Sequence, residues 1–273
     1  MLKILDVKIN PITKDELLKK FEQFLETKKP HLVCTVNTEF IISAQNDTVF
    51  KDILNNKSAI NVTDGVGVMW AAKFLSLNYP RIPIIGTLTV LLQWLLTGLL
   101  VPLYPRYFFN PIPARLAGSD LTWDIAKMAN KNGKKIFLLG GAPTAAERAA
   151  LVLQTEIYGL KIAGIHSGNP KDDTGEMVEA INKAKVDILL VAFGHPKQEK
   201  WLDQNMKKLD CQLCIGVGGT FDFIAGIQKR APKWVQNIGM EWLYRLIREP
   251  KRFPRQTSIL KFIFLVLGAK LKS

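Results

Sequence analysis

The sequence has few of the residues that make metal sites and disulfide frameworks: its 273 positions hold 3 cysteines and 3 histidines. Cys34, Cys211 and Cys214 are too few for a disulfide scaffold. The Cys211-Gln-Leu-Cys214 spacing matches half of a zinc site. No second Cys/His pair follows at matching spacing, so partly buried thiols are expected and no bound metal. No Asp-x-Asp occurs to hold a cation against a diphosphate. No G-x-G-x-x-G follows the first strand-like run, which removes the usual dinucleotide fingerprint. The N-terminus has no charged n-region followed by an apolar h-region, so no secretory signal is expected and the protein is placed in the cytoplasm. Internal repeats and low-complexity linkers are also lacking.

What is plentiful is apolar surface and positive charge. Hydrophobic residues make up 48% of the chain and mean hydropathy is +0.08, high for a soluble protein. Residues 82–105, bounded by Arg81 and Arg106, carry no charge across 24 positions. A bilayer span takes about 20 apolar residues. Pro83, Gly86, Gln93, Gly98 and Pro102 interrupt this run, however, and Trp94, Tyr104 and Tyr107 are of the types that favour the membrane interface. A membrane-dipping hairpin or amphipathic insertion is the preferred reading, with a true span and a buried helical pair as alternatives. The net charge of +13 is uneven: residues 229–273 hold 11 Lys or Arg against 2 acids, the first 228 residues 26 against 22. In that basic end Trp234, Trp242 and an apolar run over 259–267 are interleaved with Arg245, Arg248, Arg252 and Arg255. The mixture suits an anionic membrane surface better than a nucleic-acid groove, so no nucleic-acid partner is expected.

Between these features the pattern alternates. Thr13-Lys14-Asp15-Glu16 is a capping box opening a helix over 14–28, which Pro30 ends. Strand-like runs at 4–7, 31–36, 59–63, 135–139, 161–165, 187–192 and 212–217 are separated by helical periodicity, which predicts an α/β fold with a parallel, doubly wound sheet. Such folds bind ligands at the carboxyl ends of their strands. Strand-end loops at 35–38, 62–65, 194–199 and 217–222 are expected to converge there. Asp64, where a buried strand gives way to Gly65, is the leading candidate for chemistry; the competing reading is an Asp-Gly turn whose carboxylate only caps backbone N–H groups. The Gly140-Gly141 turn ahead of Pro143 is neither a G-x-G-x-x-G nor a P-loop, but it offers backbone N–H groups and a helix N-terminus to an anion such as a diphosphate. His195 is a rival base, although a loop histidine before proline is more often a hydrogen-bonding surface residue.

In chain order, Thr35-Val36-Asn37-Thr38, Thr63-Asp64-Gly65-Val66-Gly67-Val68, Arg115-Leu116-Ala117-Gly118-Ser119-Asp120-Leu121, Phe137-Leu138-Leu139-Gly140-Gly141, Gly194 with Pro196-Lys197-Gln198-Glu199, and Gly216-Val217-Gly218-Gly219-Thr220-Phe221-Asp222 followed by Arg230-Ala231-Pro232 resemble the WecG/TagA/CpsF family of bacterial glycosyltransferases. The resemblance runs to about residue 255. It implies a Rossmann-like core over 1–228, a basic, membrane-associating helical appendage over 229–273, and an apolar insertion at about 82–113 where the family has a short loop. It further implies transfer of N-acetylmannosamine or a related sugar from a UDP-sugar donor to undecaprenyl-diphosphate-linked N-acetylglucosamine. That reaction belongs to cell-wall and surface polysaccharide synthesis, such as teichoic acid synthesis, at the cytoplasmic face of the membrane. No cofactor and no metal are implied.

Carried over by motif, Asp64 is the general base and Thr35 and Asn37 belong to its pocket. Arg115 and Gln198 contact the donor or its phosphates, and Gly140, Gly141, Gly219 and Asp222 help hold it. Arg245, Arg248 and Arg252 or Arg255 complete the site from the appendage. The insertion leaves Arg81 or Arg115 as the bearer of the family's core arginine. The chemistry agrees with an inverting transfer, which needs one base for the acceptor hydroxyl and a fixed positive potential for the departing diphosphate. A dinucleotide-binding oxidoreductase and a membrane-bound adaptor are the rival classes, since the sheet pattern alone fits more than one function. The oligomeric state is left open, a homo-oligomer included.

Overall fold

The capping box at Thr13 forms: Thr13 Oγ1 accepts the Glu16 N–H at 3.3 Å and Glu16 Oε2 accepts the Thr13 N–H at 2.9 Å. It starts α1 (Lys14–Leu25), which turns Leu17, Phe21 and Leu25 inward. The computed structural model describes residues 2–171 and 174–273, apart from the side chains of Arg252, Pro254 and Arg255. Ahead of α1 the expected single strand over 4–7 is instead a small antiparallel pair, β1 (Leu2–Ile4) and β2 (Val7–Ile9). Leu5 and Asp6, at φ 46° and 61°, turn the chain between them.

The main sheet is parallel throughout. It comprises β3 (His31–Val36), β4 (Ile60–Thr63), β5 (Lys135–Gly140), β6 (Lys161–His166), β7 (Ile188–Ala192) and β8 (Leu213–Gly216), in the order β4-β3-β8-β7-β5-β6. Side chains alternate across it with period two: Leu189 and Val191 join one core cluster, Ile188 and Leu190 the other. Burial on both faces is why these strands read as continuous apolar runs. The helices are α2 (Thr38–Asn46), α3 (Thr48–Asp52), α4 (Val66–Ser76), α5 (Pro83–Leu103), α6 (Gly118–Lys131), α7 (Ala145–Glu156), α8 (Thr174–Lys183), α9 (Lys197–Asn205), α10 (Thr220–Ile224), α11 (Lys233–Asn237), α12 (Glu241–Arg248) and α13 (Phe253–Leu271). The short helix α3 and the turn after it, over 48–57, carry no clear periodic signal of their own.

The uncharged stretch forms one helix rather than a hairpin. Pro83 sits in its first turn, where a missing N–H is tolerated, and Pro102 in its last. It is long and apolar enough to cross a membrane, and only 17% of its apolar window is buried, which excludes the buried helical pair. One side of α5 runs back along α4: Gln93 Nε2 donates to Asn78 O at 2.8 Å and Trp70 Nε1 to Thr97 Oγ1 at 3.0 Å. The other side is bare, with Ile84 75%, Leu92 56% and Leu96 50% exposed.

The basic C-terminal region is packed into the molecule. Phe262 and Val266 of α13 are fully buried beside Trp70 and Phe74 of α4. Lys270, also buried, donates its Nζ to the carbonyls of Phe74 and Leu75, at 3.0 and 2.9 Å, and of Leu77. They lie at the C-terminal end of α4, where carbonyls run short of helical N–H partners; Phe74 O also accepts the Leu77 N–H at 3.3 Å.

Candidate active site

The residues after β3, β4, β5, β7 and β8 all emerge at one sheet edge and line a single cleft of about 880 Å³. Asp64 lies on its floor. Its N–H donates to Val36 O at 2.8 Å, locking the end of β4 to the end of β3. Gly65 follows at φ 109°, a conformation that suits glycine alone. Helix α4 then begins without a side-chain cap, and the Asp64 carboxylate accepts no hydrogen bond from any described residue. The capping alternative for this acid is therefore not what the fold does with it. Burial pushes the Asp64 carboxyl up to about 6, and Glu241 pushes the same way; Arg245, Arg115 and Arg230 pull it down.

Of those four charged residues, Arg115, Glu241 and Arg245 line the cleft with Asp64, and Arg230 stands behind them. Leu116 N–H donates to Thr63 O at 2.7 Å, which sets Arg115 beside the end of β4, and Arg115 Nη1 donates to Gln236 O at 2.9 Å. Arg230 grips Asp120 with two nitrogens, at 2.6 and 2.8 Å, and lies 3.6 Å from Glu241. Arg245 pairs with Glu241 at 2.9 Å one turn along α12 and lies 4.6 Å over the Phe223 ring. Its Nε is buried and has no hydrogen-bond partner among the described residues. A buried guanidinium donor without a partner is uncommon, because it gives up water and receives nothing. It is available to an anionic oxygen.

The other strand-end groups also reach the cleft, with their polar atoms partly committed. Thr35 Oγ1 donates to Gly216 O at 3.2 Å, and Asn37 Oδ1 accepts the Phe40 N–H at 3.1 Å, capping α2. Gln198 Oε1 accepts from Gly194 N and Gly218 N, at 3.1 and 3.0 Å, bracing two glycine loops together. Its Nε2 donates to Glu199 Oε1 at 2.7 Å, and burial pushes the Glu199 carboxyl up to about 7. A side chain at Gly216 would have no room, since a Cβ there would lie 2.3 Å from Gln198 Nε2.

The chain matches the glycosyl transferase WecG/TagA/CpsF family over residues 2–97 and 93–273. It belongs to that family. Relatives are an N-acetylglucosaminyldiphosphoundecaprenol N-acetyl-beta-D-mannosaminyltransferase of Bacillus subtilis (strain 168), 29% identical over 246 residues (90% of this chain, 82% of the relative), and one of Staphylococcus aureus (strain MRSA252), 27% identical over 271 residues (98% and 93%). A third, from Bacillus spizizenii, is 26% identical over 244 residues, covering 89% of this chain and 81% of the relative. The protein is thus a glycosyltransferase, and the oxidoreductase alternative is not favoured.

Within this WecG/TagA/CpsF site, several expected contacts need qualification. The Gly140-Gly141 turn spends its N–H groups internally: Gly141 N donates to Ala192 O at 3.1 Å and the next N–H, of Ala142, to Asp222 Oδ1 at 3.4 Å. A phosphate there would have to displace Asp222. Gly141, Gly219 and Asp222 line the cleft, whereas Gly140 lies behind it, its missing Cβ facing the Phe193 ring at 2.6 Å. Arg115 lines the cleft and Arg81 does not. Arg248 is exposed over the Tyr244 ring at 5.6 Å, off the cleft wall. The side chains of Arg252 and Arg255 lie outside the described residues. His195 lines the cleft but stacks on Phe40, its Nε2 3.7 Å from Glu39 Oε2. Sequence reasoning missed Glu241, one of two acids in the basic region, and assigned no role to Arg230. The only available signal was an acid conspicuous among cations.

Proposed function

We propose that this glycosyltransferase moves N-acetylmannosamine, or a closely related sugar, from a UDP-sugar to prenyl-diphosphate-linked N-acetylglucosamine, with inversion at the anomeric carbon. The acceptor and sugar are those in the names of its relatives. The observation that carries the reading is the uncapped carboxylate of Asp64 in one cleft with Arg115 and Arg245. Asp64 takes the proton from the acceptor hydroxyl as that oxygen attacks the anomeric carbon from the face opposite the leaving UDP. Arg115 and Arg245 supply fixed positive charge to the departing diphosphate, the role a metal plays elsewhere. Asp222 and Gly219 hold the nucleotide, and Thr35, Asn37 and Gln198 shape the sugar pocket.

Residues 229–273 work as a basic appendage on the 1–228 core. Together with the bare side of α5 they hold the enzyme peripherally at the cytoplasmic face of the membrane, where a prenyl-linked acceptor resides. The product feeds cell-wall or surface polysaccharide such as teichoic acid.

Mass analysis of a prenyl-diphosphate N-acetylglucosamine acceptor after incubation with a panel of UDP-sugars tests the proposal directly. One added N-acetylhexosamine, from UDP-N-acetylmannosamine in preference to its epimers, is expected. Asp64→Asn should slow transfer by about 10²–10⁴-fold while UDP binding persists. Undiminished transfer by that variant would remove Asp64 from the role of base.

A further inference from the structure

The charge network accounts for one half of the cleft only. Beyond Asp64 the same cavity turns apolar, walled by Trp94, Gly98 and Leu99 of α5 and by Leu260, Ile263 and Phe264 of α13. The Trp94 and Phe264 rings meet at 5.9 Å, joining the two walls. At Gly98 an added Cβ would meet no atom within 4 Å, so the backbone there borders open space. Leu99 and Leu260 are 57% and 59% exposed, so the cavity wall runs without a break into the outer apolar surface. One end of the cavity is thus polar and lined with arginines, and the other is apolar and open to the side. That gradient fits an amphiphile whose anionic linker joins a sugar head to a hydrocarbon tail.

We infer that α5 and α13 form a subsite for the isoprenoid chain of the acceptor, which enters between them from the bilayer and delivers the sugar to Asp64. The inference rests on the lipid-linked acceptor proposed above. The lining stretch of α5 from Trp94 to Pro102 presents about 12 Å of helix to the cavity, so the subsite holds the isoprene units nearest the diphosphate while the remaining chain stays in the membrane. The apolar insertion then has a purpose beyond adsorption: it extends the active site.

The test uses Gly98→Leu, which places four carbons in the open space while leaving the polar half intact. Helix propensity favours the change. Wild type and variant are compared in detergent with two N-acetylglucosaminyl-diphosphate acceptors, one carrying a long polyprenyl chain and one a single short prenyl group. The variant should raise KM for the long-chain acceptor at least tenfold, about 1.4 kcal/mol, with little change in kcat, and stay within twofold of wild type on the short-chain acceptor. Turnover of the latter doubles as the check on folding. Equal effects on both acceptors, or none on either, would overturn the subsite. If wild type transfers to neither acceptor, the lipid-linked reading itself fails and takes the subsite with it.

Discussion

At the scale of single residues, the proposed chemistry turns on the balance between Asp64 and Glu241. An acid near 4 would be a weak base for a sugar hydroxyl, whereas one lifted to about 6 is a better proton acceptor and still ionised at neutral pH. With Asp64 as the proposed base, the deprotonated form is the active one, and kcat/KM should fall as pH drops through about 6. Glu241→Gln removes a charge that lifts Asp64 and releases Arg245 and Arg230 from their carboxylate, so both effects lower its pKa. The acid limb of the pH–rate profile should therefore move to lower pH in this variant, and a limb that stays in place or moves upward would show that Glu241 does not act on Asp64. Asp64 itself was legible in sequence from its place between a buried strand and a glycine, but its missing cap was not. Whether a turn carboxylate finds an N–H depends on local dihedrals, and an Asp-Gly pair allows either outcome.

At the scale of elements, α4 ties the site to both the insertion and the C-terminal helix. It begins just after Asp64 and Gly65, carries Trp70 to α5 and ends on the ammonium of Lys270. Lys270→Met keeps the apolar stem but removes the ammonium from the carbonyls of Leu75 and Leu77, and from that of Phe74, which keeps only the Leu77 N–H, a loss of about 1–3 kcal/mol for buried polar groups. Thermal denaturation should show a Tm several degrees lower, and an unchanged Tm would mean that the clasp contributes nothing. Most elements were legible from periodicity and punctuation: the Thr13 capping box, the seven apolar runs and the glycine turns are local signals. The exceptions have physical causes. Residues 4–7 looked like one strand because Leu5 and Asp6 conceal a left-handed turn behind ordinary side chains. Residues 82–105 looked interrupted because prolines were read as breaks, although both lie in terminal turns of α5, where they are tolerated.

For the whole molecule, the proposed membrane contacts are the apolar side of α5 and the basic C-terminal segment. Cosedimentation with vesicles containing anionic lipid should retain the wild-type protein, and the retained fraction should fall as salt is raised, since the basic contribution is screened. Leu92→Glu combined with Leu96→Glu, on exposed positions that do not line the cleft, should release the protein from vesicles at every salt concentration while preserving turnover of a short-chain acceptor in detergent. Retention of that double variant would argue against α5 as the membrane contact.

The sequence by itself determined the alternation of strands and helices, the strand-end position of Asp64, the charge asymmetry and the order of motifs that mark the family, because each is a pattern within a short window of chain. Only the tertiary structure decided that Glu241 and Arg245 stand over Asp64, that Gln198 braces two loops instead of offering both its amide atoms to a ligand, and that α13 closes a groove with the insertion. These relations join segments as far apart as the 196 residues between Phe74 and Lys270. Hydrogen bonds and electrostatic fields at that separation follow from how the helices pack, which no local pattern encodes.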